Sequence, residues 1–159
     1  MGTRIWYEIA ILNKFEEIRF SRMYYDKTNK VAVAYVADSQ GKLSSDLKTS
    51  IEEFLNEYGA AHLHHQVKEY SEMVHDRVPH LSDIPSEIRY IALIGELNQR
   101  GIMKSLEAAF PFLDMKLANF QNGVLKIWIS QGNLSHAETQ LIKDYAQELV
   151  PISVEVDLI

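Results

Sequence analysis

A chain of 159 residues with no cysteine forms no disulfide, offers no thiol nucleophile and holds no metal through thiolates, while 47% hydrophobic residues are enough for a substantial core. The formal net charge of -6 and a pI near 5.5, with the acidic residues scattered, disfavour nucleic-acid binding. No apolar run approaches the roughly 18 residues of a membrane span and Met1 to Glu8 carry no signal-peptide pattern, so a soluble cytoplasmic protein with no membrane partner is expected.

Arg4 to Leu12 alternates and predicts a strand, with Ile5, Tyr7, Ile9 and Ile11 on one side and Trp6, Glu8, Ala10 and Leu12 on the other. Asn13 to Arg19 leaves room for one or two helical turns, a reduced first helix. Phe20 to Tyr25 and Val31 to Ala37 predict a hairpin across Asp26-Lys27-Thr28-Asn29. Leu43 to Tyr58 has a helical period, with Ile51, Phe54 and Tyr58 on one face and Gly59 as its stop. His62 to Glu69 predicts a strand, and Tyr70 to Glu87, with Pro79 and Pro85, reads as a linker.

The second half follows a similar course. Ile88 to Ile94 predicts a strand, and Gln99 to Phe110 a helix that Pro111 helps to end. Met115 to Phe120 and Val124 to Ser130 flank Asn122-Gly123, the pair that best tolerates the positive φ angles of a tight hairpin. A helix starts near Ser135, where Glu138 has capping-box spacing, and Ile152 to Leu158 alternates as a half-buried strand.

The halves are copies of one pattern. Ser39-Gln40-Gly41-Lys42-Leu43-Ser44 returns as Ser130-Gln131-Gly132-Asn133-Leu134-Ser135, each following an apolar run and preceding a helix. Ile51, Phe54 and Tyr58 align with Ile142, Tyr145 and Leu149, and Ile9 to Asn13 resembles Ile91 to Asn98. The expected fold is α+β: an internal duplication of a ferredoxin-like β-α-β-β-α-β unit, as two antiparallel sheets or one continuous sheet with helices on one face. The first repeat spans 1–72 with its first helix reduced, the linker 73–87, and the second repeat 88–159.

Chemistry is sparse in both copies. His62, His64 and His65 cluster on one strand, but alignment of Leu63, His65 and Val67 with Val154, Val156 and Leu158 turns His65 inward and His62 and His64 outward, so one strand does not focus all three on an ion. The Ser-Gln-Gly turns hold one glycine each and no Walker lysine, and Ser44 and Ser135 are explained by N-capping. Glu52, Glu53 and Glu57 belong to a solvated helix face. No hydrolase, zincin or dinucleotide signature is present. No catalytic, cofactor or metal residue is therefore assigned, and no cofactor is expected.

The remaining signal is surface. The alternation of Val124 to Ser130 puts Lys126 and Trp128 on the sheet face away from the helices, and Trp6, Glu8, His62, His64 and Arg89 complete the candidate binding surface. The leading expectation is a small non-enzymatic regulator or inhibitor, of the immunity-protein or antitoxin kind, binding a protein partner through an open sheet face or edge. A ligand-binding sensor with a small molecule between the halves is the alternative, and a histidine-dependent enzyme the third. A homo-oligomer is compatible with the same surface.

Overall fold

The computed structural model describes residues 2–81, 83–130 and 133–159, without the side chains of residues 117 and 118. The chain is mixed α+β and divides into two units, residues 2–82 and 83–159. Each contains a three-stranded sheet and the helices packed on it. Gln131 and Gly132 of the second repeated turn, and Ser82 of the expected linker, lie outside the described residues.

In the first unit α1 (Arg4–Lys14) leads to β1 (Phe20–Asp26) and β2 (Val31–Ala37), then to α2 (Ser45–Tyr58) and β3 (His64–Glu69). A short α3 (Glu72–His75) follows. β1 and β2 pair antiparallel, with Met23 opposite Ala34, and β2 and β3 pair parallel, with Ala34 opposite Val67. In the hairpin turn the Asp26 carboxylate accepts from the amides of Thr28 and Asn29 and from the Asn29 side chain, which holds its pKa below the usual value.

The second unit repeats the order. α4 (Ser86–Ile94) and α5 (Gln99–Ala109) precede β4 (Met115–Gln121) and β5 (Val124–Ile129), and α6 (His136–Gln147) crosses to β6 (Glu155–Leu158). β4 and β5 are antiparallel, β5 and β6 parallel, with Leu125 opposite Val156. Asn122 and Gly123 turn the hairpin at φ 53° and 77°, the left-handed pair that the Asn-Gly signal predicts.

The structure differs from expectation at the start of each half. Arg4–Lys14 and Ser86–Ile94 are helices, not strands, so each sheet has three strands among the described residues and is mixed rather than wholly antiparallel. The first helix is therefore not reduced but lies earlier in the chain than expected. The apolar content of Arg4 to Leu12 fits both periods; as a helix it buries Ile5, Tyr7, Glu8 and Ile11, and the Thr3 hydroxyl accepts from the Trp6 amide at 3.1 Å to cap it. In α4 the helix buries Ile88 and Ala92 while Tyr90 and Ile94 are exposed. Part of the expected linker is also folded, since α3 and the residues after it lie on the first sheet.

The internal correspondence extends to single hydrogen bonds. Thr3 caps α1 and Asn98 caps α5, each accepting from the amide three residues on. Each helix ends at a phenylalanine, Phe15 or Phe110, whose amide bonds to Ile11 or Leu106, and whose carbonyl accepts from Ile18 or Leu113. Ser44 and Ser135 cap the crossover helices. α5 thus stands where α1 stands, and α6 where α2 stands.

Ser135 and Glu138 form a complete capping box. Ser135→Ala should destabilise the second unit by about 1 kcal/mol. Urea unfolding followed by Trp128 fluorescence in a Trp6→Phe background reads that unit, and an unchanged midpoint would count against the cap.

Candidate functional site

Two places in the structure hold chemistry: the helix-covered interior of each unit and the outer face of each sheet. The interior of the first unit contains a polar cluster. Tyr7 is fully buried on α1, and its hydroxyl oxygen accepts from the Ala60 amide at 2.8 Å and lies 3.3 Å from His65 Nε2. His65 is 6% exposed, and its Nδ1 is buried with no hydrogen-bond partner among the described residues. If the tyrosine hydroxyl donates to Nε2, the imidazole proton sits on an unpartnered Nδ1. If Nε2 donates instead, the tyrosine proton is left over. Either neutral form leaves at least one buried polar group unmatched, Nδ1 in both and the tyrosine proton as well in the second, and the imidazolium adds a charge to the same shortfall. Burial first, and the neighbouring His64 and His62 second, accordingly lower the pKa of His65. Burial raises that of Tyr7, partly offset by the Ala60 amide.

Gly59 makes this arrangement possible. A Cβ on it would stand 2.5 Å from the Leu55 carbonyl oxygen and 2.6 Å from His65 Nε2, inside any real contact distance. Beside the cluster, the Glu8 carboxylate accepts from the Met23 amide at 2.9 Å and pairs with Arg4 one turn back, tying α1 to β1.

The same place in the second unit is apolar. Ile102 stands four residues after the Asn98 cap, as Tyr7 does after Thr3; Pro151 holds the position of Ala60 relative to the cap of its crossover helix; Val154 precedes Val156 as His65 precedes Val67. His65 therefore corresponds to Val154, two residues from the expected partner Val156 and on the same side of the strand. A proline has no amide to donate, and isoleucine and valine carry no polar group, so the hydroxyl, its donor and the imidazole are all absent there. These three residues line a cavity of about 520 Å³ with Leu97, Leu125 and Phe120. Its polar lining residues are Gln99 and Asn119.

The outer faces differ as well. On the first sheet Arg22, Tyr35 and Lys68 lie side by side in one register row, and the chain after β3 folds back across them. Asp76 accepts from the Tyr35 hydroxyl and from Lys68 Nζ, both at 2.8 Å, and the Pro79 carbonyl accepts from Arg22 at 3.0 Å. Lys68 and Tyr35 hold the Asp76 carboxyl at about 2, and burial with the adjacent carboxylate drives the Tyr35 pKa well up. Tyr35 is 2% exposed as a result. The corresponding row of the second sheet is Asn119, Lys126 and Asp157, all exposed, with Trp128 beside it at 53% exposure and Lys116 opposite Trp128. Gln121, Val124, Glu155 and Asp157 border a shallow depression of about 450 Å³ on this face.

The residues singled out from the sequence thus fall in different settings. Lys126 and Trp128 share one exposed sheet face as expected. Trp6 is half-buried on α1 with its ring edge against Tyr7, and Glu8 is 7% exposed and hydrogen-bonded. Arg89 is half-buried on α4. His62 and His64 are exposed. No group of three metal-ligating side chains occurs among the described residues. Tyr7, Ala60, Ile102 and Pro151 were not singled out; the signal that finds them is the pairing of Thr3 with Asn98 as helix caps, which brings α1 and α5 into alignment. Set against known proteins, the chain matches no family model and no curated protein sequence.

Gly59→Ala should destabilise the first unit by about 2 kcal/mol through overpacking against a backbone carbonyl, measured by urea unfolding with Trp6 as reporter in a Trp128→Phe background. The pH dependence is also fixed in sign. Because the folded state lowers the pKa of His65 below 6.5, its contribution to stability is complete above that value and is lost as pH falls below it. The melting temperature of the first unit should drop between pH 7.5 and 5, and His65→Gln should remove that part of the slope. A wild-type melting temperature that stays level over this range would contradict the account.

Proposed function

We propose that the chain is a duplicated α-β-β-α-β unit, a ferredoxin-like order without its first strand, and that it works as a non-enzymatic binding module whose second sheet face receives a segment of a partner protein. The observation that carries this reading is the contrast between the two outer faces. The first is occupied by its own chain, with a carboxylate seated on Tyr35 and Lys68. The second carries an exposed tryptophan between two lysines, Lys116 and Lys126.

The covering segment of the first unit indicates what such a face accepts. A short turn lays one carboxylate over the middle of the row and one carbonyl at its β1 side. On the second face a partner carboxylate meets Lys126 or Lys116, and an apolar side chain lies on the Trp128 ring. A large aromatic beside a cation is the composition that concentrates energy at protein interfaces. Asp157 and Glu155 on the β6 side repel a uniformly acidic partner and so set the direction in which a segment lies. A regulator or inhibitor that acts by occupying another protein fits this chemistry, and needs no catalytic group.

Proteins retained by the wild-type chain, quantified beside those retained by a Lys126→Glu, Trp128→Ala double variant, test the reading. Loss of a principal retained protein by tenfold or more is expected, because the double change removes both anchors while altering only exposed side chains. Equal retention by the two chains would overturn it.

A further inference from the structure

The cavity beside α5 is bordered by Ile102, which stands where Tyr7 stands in the first unit, and by neither Lys126 nor Trp128 of the outer face. We propose that this cavity binds a small, uncharged aromatic molecule bearing a hydroxyl group, a phenol, in the position that Tyr7 fills in the first unit.

Three observations support the assignment. First, the change between the units is concerted: Tyr7, the amide of Ala60 and His65 give way to Ile102, Pro151 and Val154, and all three replacements line the cavity. Ile102 and Val154 are smaller than the tyrosine and histidine they stand for, and the space they border with Pro151 measures about 520 Å³, within the range of small-molecule sites. Second, the lining contains no charged side chain, so an ion placed there would lose its hydration without an opposite charge in return. Third, the polar side chain that the lining offers on the helix side of the sheet is the carboxamide of Gln99, able to donate and to accept, since Asn119 stands opposite Lys126 in the outer row. A single hydroxyl on an apolar ring matches that supply, and Phe120, 61% exposed, offers a ring for the ligand to pack against.

The occupant proposed for this cavity is thus the chemistry that the first unit carries covalently. The site lies wholly within residues 97–154 of the second unit and involves neither Lys126 nor Trp128, so its test is independent of the protein-binding face.

The probe is p-cresol, the free equivalent of a tyrosine side chain, titrated into the full chain while the methyl signals of Leu97, Ile102, Leu125 and Val154 are followed by ¹H–¹³C NMR. Saturable shifts confined to these methyls are expected, with a dissociation constant on the order of a millimolar or tighter for so small a ligand. The charged analogue 4-hydroxybenzoate should bind at least tenfold more weakly. Ile102→Tyr, which supplies the missing side chain from within, should abolish the response to p-cresol. If that variant does not fold, Val154→Phe fills the cavity from the strand side and is used in its place. No saturable shift at these methyls in the wild-type chain at millimolar p-cresol would overturn the proposal, as would a response that persists in a folded cavity-filling variant or one shared equally with 4-hydroxybenzoate.

Discussion

The central strand of each sheet is the constraint on which the rest of each unit depends. In β2 every residue from Ala32 to Ala37 is buried, so both faces of the first sheet have to be covered. On one face lie α1 and α2; on the other lies the chain returning after β3, held by Asp76 and Pro79. β5 is different. Leu125 and Ile127 are buried and Lys126 and Trp128 are exposed, which is the alternation of a sheet with one covered face. A continuous apolar run and an alternating one, set in the same topology, give a two-faced and a one-faced sheet. The binding surface proposed for the second unit is a consequence of that single difference.

The interior tells the same story at the level of hydrogen bonds. A buried tyrosine is stable only if its hydroxyl finds partners, and in the first unit these come from the amide of Ala60 and from His65. The partners in turn require Gly59, because no side chain fits between the Leu55 carbonyl and the imidazole. Tyr7 and the distant segment that holds Gly59, Ala60 and His65 thus form one interdependent group. Its absence as a whole from the second unit is what a polar network demands, since half of it would leave an unmatched group in the interior. The apolar replacement relieves that demand and leaves space.

Much of this was legible in the sequence where local rules apply. The hairpin at Asn122-Gly123, the crossover helices after the Ser-Gln-Gly turns and the inward side of the last strand all follow from turn chemistry, capping and period. Arg4 to Leu12 and Ile88 to Ile94 carry a strand-like pattern although they are helices, because a short segment that is apolar almost all round satisfies both periods. What separates them is the cap at Thr3 and the depth of cover on the sheet, and alternation alone reports neither. The candidate residues divide along the same line. Lys126 and Trp128 were placed by the parity of a strand, whereas Trp6 and Glu8 were assigned to an outer sheet face and in fact belong to a helix, one half-buried and the other tied to Met23 and Arg4.

By itself the sequence determined the mixed α+β class, the two hairpins, the two capped crossovers and the repetition of one pattern, because each of these depends on residues close together in the chain. Only the tertiary structure decided that the segment after β3 closes the first sheet, that Tyr7 meets His65 and Ala60, and that Ile102, Pro151 and Val154 bound a cavity. Those outcomes depend on volumes and hydrogen-bond partners brought together from distant parts of the chain, and local period carries no information about them.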